Sequence, residues 1–572
     1  MQKYKIREKI PEKAQKSLGD LPDLVKHLLY YRGIDDLSKA QMFLNPDYEK
    51  HSFDPFLFKD IDKVLDRIFQ AIDCGQKIGI FSDYDADGIP GAVILSDFFN
   101  KINYENFTVY IPHRNDEGYG LNESAIKSLS DDGVVLLITI DCGISDHKMV
   151  DFANSLKMEV IITDHHLPHD SLPNAFAIIN PKRQDCHYPE KMLCGAGVVY
   201  KIICAIISDK RFEKIREKNN LANGFEKWFL DMAGLATLSD MVPLLGENRN
   251  LAYFGLKVLQ KSPRSGLLKL FSLLKIDQRN LNEDDIGFLV TPRINVASRM
   301  GHPKDAFLML SSKDEILSTE MATHLHKINE ERKGLVSSMS KEIKKIIEQR
   351  QDVLGDVLVL GNPNWKPSLL GLVANSFLET YGKPVFLWGK EDGSLIKGSC
   401  RSSSVSVVDL MKEVSFLFEE YGGHLGAGGF SISQEKIHLL PDALNEAFKK
   451  ISTSKEENVV WIDKVLYPDD VSWHLWESIK RMAPFGISNH KPVFMFENID
   501  ILEVKHFGKD KNHLQVCVLN SKGFKIKAIA FFKKEEDFKA LSGGQKKNLI
   551  FNLERSDFRN IPELRLRIID II

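Results

Sequence analysis

Apolar and polar positions follow two rhythms along this chain. Through the first half, short apolar runs alternate with stretches of helical spacing. KIGIF before Asp83, VVLLITI before Asp141, EVIIT before Asp164 and LATL before Ser239 read as buried strands. Strands alternating with helices over residues 51–312 predict a doubly wound parallel sheet. Gly195-Ala-Gly-Val-Val-Tyr-Lys201 opens a helix running into Ile203-Cys-Ala-Ile-Ile207. Its glycines read as close packing of a helix start rather than as a phosphate loop. Residues 313–350 hold no Pro and one Gly, with apolar residues at helical spacing, so one or two long helices join two lobes. A smaller α/β lobe over 351–455 starts with the strand DVLVL. Lys455-Glu-Glu-Asn458 is a polar junction. Beyond it PVFMF, LQVCVL, FKIKAIAFF, LIFNL and LRLRII are short, closely spaced strands, the pattern of a small barrel over 456–572. Residues 1–50 read as a helical segment of mixed charge.

The chemistry sits just past the predicted strands. Asp83-Tyr-Asp85-Ala-Asp87-Gly88, Asp141-Cys-Gly143, Asp164-His165-His166 and Ser239-Asp240 each follow an apolar run. The carboxyl edge of a parallel sheet is where α/β folds place ligands. One Asp after a strand is ordinarily a turn residue or a helix cap. Four acidic clusters with two adjacent histidines make a site for hard divalent ions, Mn²⁺ or Mg²⁺, since that many carboxylates repel one another without cations. An EF-hand is excluded, because position 12 counted from Asp83 is Ile94 rather than Glu. In the second lobe, Ser399 and Arg401 share a Gly-Ser-x-Arg-Ser turn, where a hydroxyl and a guanidinium can converge on one phosphate. Arg114 and Arg299 are further phosphate candidates, and salt bridges are the competing reading for all three arginines.

Bulk properties narrow the class. The 572 residues exceed one hydrophobic core, so three or four domains are expected. The longest apolar run is too short to span a bilayer, and the N-terminus lacks a signal-peptide core. Seven cysteines without a CxxC pair fit a reducing cytoplasm. A net charge of −3 leaves nucleic-acid binding to a local basic surface.

These motifs, in this order, resemble the DHH phosphoesterase superfamily and, within it, the RecJ family of single-strand-specific 5′→3′ exonucleases. Further matching segments are Ile111–Asn122, Asp240-Met-Val-Pro-Leu with Glu247-Asn-Arg249, and Pro292-Arg-Ile-Asn295 with Arg299-Met300. Gly398-Ser-Cys-Arg-Ser402, Gly422-Gly-His-Leu-Gly-Ala-Gly-Gly429 and Pro484-Phe-Gly486 complete the set. The resemblance implies a DHH catalytic domain, a DHH-associated domain and a C-terminal OB-fold. It implies two-metal hydrolysis of single-stranded DNA in repair and recombination. Asp83, Asp85, Asp87, Asp141, His165 and Asp240 become metal ligands, with Asp141 bridging. His166 faces the scissile phosphate, and Asp164 orients a histidine. Arg114, Asn295, Arg299, Ser399, Arg401 and His424 become phosphate contacts. Lys525, Lys527, Lys533 and Lys534, with Phe524, Phe531 and Phe532, become a single-strand surface. A helicase and a single-strand-binding protein are implied partners of a monomeric enzyme. Ser298, Lys366 and Pro90 depart from the family pattern without removing a ligand. Two other readings remain: a DHH phosphoesterase for short oligonucleotides or small phosphates, and a non-catalytic replication scaffold.

Overall fold

The computed structural model describes residues 3–114, 116–349, 355–390, 395–451, 459–508, 511–538, 541, 546–556 and 562–572. The polar junction at 455–458 and the domain boundaries expected at 350/351 and 455/456 lie outside them.

Five strands form the first sheet, in the order Phe107–Tyr110, Ile78–Ser82, Leu136–Ile140, Glu159–Thr163 and Ala177–Ile179. Every pairing is parallel. The three central strands are buried on both sides, which is why their sequences read as unbroken apolar runs. Alternate side chains feed two cores. Ile78, Ile80, Leu136 and Ile138 pack on one face, and Phe81, Leu137, Val160 and Ile162 on the other.

The LATL run is not a strand. Leu235–Leu238 lies in the helix Leu230–Ser239, with Asp240 as its C-cap. A short apolar run buried all round reads alike as strand or helix. Here ten residues continue the run, and the helix is packed closely against Gly246–Leu259. A Cβ on Gly234 would sit 2.5 Å from the Gly255 Cα, so two glycines let these helices touch. From residue 180 to the second lobe the described regular structure is helical, ending in one 35-residue helix, Glu315–Gln349.

The second lobe is a five-stranded mixed sheet ordered Phe418–His424, Ala427–Ile432, Ile396–Arg401, Val385–Lys390 and Leu358–Gly361. The Gly-Ser-x-Arg-Ser segment is therefore strand, not turn. Ser399 and Arg401 still share a face, because side chains two apart along a strand point the same way.

The C-terminal strands form one seven-stranded sheet, ordered Lys464–Val465, Phe494–Asp500, Lys546–Ser556, Glu563–Ile571, Lys525–Ala530, His513–Leu519 and Glu503–Phe507. Residues 1–50 are not an independent helical segment. The strand Lys3–Ile6 pairs in parallel with Val459–Ile462, and Leu18, Val25, Leu28 and Phe43 share a core with Phe494, Phe551 and Leu566. Helices this short bury an apolar face only against another element. Arg249 ties the parts together: its guanidinium donates to the carbonyls of Phe43, Met482 and Ala483, each at 2.9 Å. The same guanidinium reaches the Pro484 carbonyl at 3.3 Å, so Arg249 and Pro484 of the two motifs meet where the domains join.

Candidate metal centre and phosphate pocket

The Ile78–Ser82, Leu136–Ile140 and Glu159–Thr163 strands end side by side, and their loops carry the acidic clusters to one edge. Asp141 has a backbone φ of 61°, a left-handed conformation that costs a non-glycine residue energy and recurs at functional sites. Gly195 makes room for it: a Cβ there would lie 2.7 Å from the Asp141 Cβ. Gly195 thus serves close packing, while a Cβ on Gly197 would come no nearer than 3.4 Å to its neighbours. The same helix start does more, since the Gly195 and Ala196 amides donate to the Asp87 carboxylate at 2.6 and 2.7 Å. A helix N-terminus here fixes an acidic side chain in place of a free anion.

Three overlapping groups of donors could each hold a metal ion. They are Asp83, Asp85 and Asp141; Asp141, His165 and His166; and Asp87, His165 and Asp240. Asp141 and His165 each belong to two groups, and Asp85 and Asp87 fall in different ones. His165 Nε2 lies 3.1 Å from Asp141 Oδ1 and 3.7 Å from both Asp87 Oδ2 and Asp240 Oδ2. Burial, then the neighbouring carboxylates, push Asp87 up to about 7 and Asp240 up to about 9. Asp83 and Asp141 are driven well above the carboxylate range for the same reasons. Burial first, and then the charge of His166, push His165 down to about 3, so it stays a neutral ligand. Asp83 Oδ1 and Asp141 Oδ1 are buried with no hydrogen-bond donor. Orphaned carboxylate oxygens in a mutually repelling cluster fit divalent cations, and oxygen donors with one or two imidazoles fit Mn²⁺ or Mg²⁺.

Asp164 turns away from the cluster centre. Its Oδ1 accepts from the amides of His165 (2.7 Å) and His166 (3.0 Å) and from the His166 ring (2.8 Å). Its Oδ2 accepts from the Ile144 amide at 3.0 Å. Burial raises its carboxyl, but the His166 hydrogen bond, the His166 charge and the amides outweigh it and hold the group below its ordinary range.

Sequence reasoning did not single out Tyr119, Asn180 or Lys182. The Tyr119 hydroxyl donates to the Asp141 carbonyl at 3.0 Å and lies 3.3 Å from His166 Nδ1. Asn180 Nδ2 donates to the His166 carbonyl at 2.9 Å, and half-buried Lys182 feels the charges of Asp240, Asp164 and Asp141. Next to Tyr119, Gly120 has φ 85°, and a Cβ there would meet Asp146 Oδ2 at 2.7 Å, a fit that only the fold shows.

Among the described residues, no carboxylate pairs with Arg114, Arg299 or Arg401, so none is a salt-bridge residue. Arg299 donates to the Ser368 carbonyl at 3.1 Å, and the Ser368 hydroxyl donates back to Arg299 O at 2.9 Å. Burial, then the like charges of Arg114, Arg332 and Arg401, push Arg299 down to about 10. Guanidinium groups gathered without an ion-pair partner suit an anion, even with the charge of Asp85 acting on Arg299. The register sets His424 opposite Ala427 and Ala427 opposite Arg401, so His424 and Arg401 share a face. Asn295 Oδ1 accepts from the Ala86 amide at 2.8 Å and so braces the first acidic loop.

On the C-terminal sheet, Phe524 and Phe532 are exposed, and the Arg567 guanidinium lies 4.1 Å from the Phe531 ring centre. Lys525 and Lys527 stand on the strand Lys525–Ala530, where Lys527 pairs with Glu563 at 2.8 Å. Lys533 and Lys534 follow in the loop, not the strand.

The DHH family N-terminal domain matches residues 77–236, the DHHA1 domain 354–452 and the RecJ OB domain 462–570. The single-stranded-DNA-specific exonuclease RecJ of Bacillus subtilis is 31% identical over 550 residues, covering 96% of this chain and 67% of that protein. The Escherichia coli enzyme of the same name is 26% identical, covering 100% and 99%. The crystal structure of Thermus thermophilus RecJ in complex with Mn²⁺ has the same fold, with a TM-score of 0.82 at 23% identity over 100% of this chain and 79% of that one. An exonuclease RecJ structure bound to manganese matches at TM-score 0.59 and 28% identity, over 69% and 95%. With its acidic sheet edge, its second lobe and its C-terminal OB domain all in place, the chain belongs to the RecJ family of DHH phosphoesterases.

Proposed function

We propose that this protein is a single-stranded-DNA-specific exonuclease that hydrolyses phosphodiester bonds from the 5′ end with two Mn²⁺ or Mg²⁺ ions. The observation that carries the reading is the set of three donor groups joined through Asp141 and His165, beside a guanidinium cluster that forms no ion pair among the described residues. Bound divalent ions would supply an activated water and neutralise charge on the phosphate oxygens. Asp83, Asp85, Asp87, Asp141, His165 and Asp240 would hold them. The protein's own groups do the rest. Asp164 orients both histidines, and Tyr119 steadies His166 beside the scissile phosphate. Arg114, Arg299, Arg401 and Ser399 hold the 5′ phosphate, which sets direction. Phe524, Phe532 and Arg567 offer stacking faces to following bases.

The enzyme would act in DNA repair and recombination in the cytoplasm, as a monomer, with a helicase and a single-strand-binding protein as partners. No described helix is long and apolar enough to cross a membrane. Digestion of 5′- and 3′-labelled single strands in Mn²⁺ tests the proposal. Mononucleotides should leave the 5′ label at once and the 3′ label only at completion. The reverse order, or internal cuts first, overturns it.

A further inference from the structure

The face of the second lobe that carries Ser399 and Arg401 continues past them. Across the three strands Ile396–Arg401, Ala427–Ile432 and Phe418–His424, the register sets Arg401, Ala427 and His424 in one row. Ser399, Gly429 and Gly422 form the next row, and Lys397, Ser431 and Glu420 the one after. Directly opposed residues share a face, so all three rows look the same way. The glycine row is a saddle. A Cβ on Gly422 would touch nothing within 4 Å, and one on Gly429 only the Gly398 carbonyl at 3.6 Å.

Over this saddle lies a cavity of about 450 Å³, lined by Lys397, Glu420, Gly429 and Ser431, by Ser368 of the same lobe and, from across the cleft, by Arg114. It therefore adjoins the guanidinium cluster, yet it is far larger than a phosphate requires. Its chemistry is not that of a second phosphate site either, because the exposed Glu420 carboxylate would repel one. Ser431 is 8% exposed, and its Oγ has no hydrogen-bond partner. A buried hydroxyl that lines a cavity together with a carboxylate and an ammonium, none of the three partnered among the described residues, is a place for a ligand that both donates and accepts.

We propose that this pocket receives the base of the 5′-terminal nucleotide and that Glu420 reads it. The inference rests on the exonuclease reading above. With the terminal phosphate on Ser399 and Arg401, the third row begins one residue pair further along the strand, about 6.6 Å away. That is the reach of a base from its own 5′ phosphate. A carboxylate accepts from exocyclic amino groups, and guanine offers it N1–H and N2–H together. Adenine and cytosine offer one amino group. Thymine's N3–H is flanked by two carbonyl oxygens that repel a carboxylate. Terminal guanine is therefore preferred and terminal thymine disfavoured.

The test uses the full-length protein with Mn²⁺ and five 5′-phosphorylated strands that differ only in the first residue: dG, dA, dC, dT or an abasic sugar. Release of that first residue is measured at subsaturating strand. We expect dG to lead dT by about tenfold in kcat/KM, with the abasic strand slowest. Glu420→Ala should shrink the spread between the four bases to about twofold. Glu420→Gln, whose amide can also donate, should raise dT relative to dG. Ser431→Ala should slow all four bases and leave the abasic strand alone. Equal rates for the five strands in the wild type, or a base preference that survives Glu420→Ala, overturn the pocket and leave the exonuclease standing. Absence of hydrolysis on every strand overturns the exonuclease reading itself.

Discussion

Asp164→Asn isolates the geometry that holds the two histidines. The wild-type carboxylate accepts four hydrogen bonds, from the amides of Ile144, His165 and His166 and from the His166 ring. Asparagine has the same volume but only one acceptor oxygen. With that oxygen kept toward the histidines, its NH₂ faces the Ile144 N–H, and a buried donor is orphaned at about 1–3 kcal/mol. The two histidine amides lose charge assistance at about 1 kcal/mol each. The His166 ring, partly open to water, adds about half of that. The expected loss is about 3.5–5.5 kcal/mol. Native-state hydrogen exchange at the Ile144 amide and the denaturant midpoint, both on metal-free protein, measure it. The pH dependence carries a sign. Asp164 titrates below its ordinary 3.8, so its share is complete above 3.8 and fades as pH falls through the depressed value. His166 is raised above 6.5, chiefly by Asp164 against the pull of burial, so its share is complete below 6.5 and fades as pH rises through the raised value. The gap between wild type and variant should be widest between 3.8 and 6.5. A stability change under about 1 kcal/mol, or a gap that widens steadily toward alkaline pH, refutes the reasoning.

Three further outcomes are expected. Asp141→Ala should lower kcat in Mn²⁺ by at least about 10³-fold while the protein stays folded, since removing one carboxylate relieves the repulsion from Asp83, Asp85, Asp87 and Asp240. More than a tenth of wild-type kcat would rule out its placement between two donor groups. Arg401→Ala should cost roughly 1.5–3 kcal/mol of preference for 5′-phosphate over 5′-hydroxyl strands, measured as the ratio of kcat/KM values. An unchanged ratio would place the end pocket elsewhere. Phe532→Ala, at a side chain 77% exposed, should raise KM for long strands about fivefold or more with kcat nearly constant. An equal effect on strands of a few bases would remove that ring from the binding path. Point changes are the right tool here. Truncation near residue 455 would strip the partner strand from Lys3–Ile6 and the core from Leu18, Val25 and Leu28.

The catalytic sheet was legible because its signals are local. A strand buried on both faces must be apolar along its length, and a carboxylate that follows it lands at the sheet's edge whatever the rest of the chain does. Asp83, Asp141 and Asp164 could therefore be placed from their preceding runs, and the 35-residue helix from its spacing. Asp240 was placed by the wrong element, because LATL satisfies a buried helix as well as a buried strand, and only Gly234 against Gly255 shows which one packs. Asn295 and Tyr119 had no local signal of their roles. Each acts on backbone groups distant in sequence, Ala86 and Asp141, which the fold alone brings within 3 Å. The N-terminal strand and helices were likewise undecidable from their own residues, since their apolar faces match any partner and their actual partner begins more than 400 residues later. Residue type and local period determine which chemistry a chain can carry. Contacts across long loops, whose energies no short window of sequence contains, decide where that chemistry is assembled.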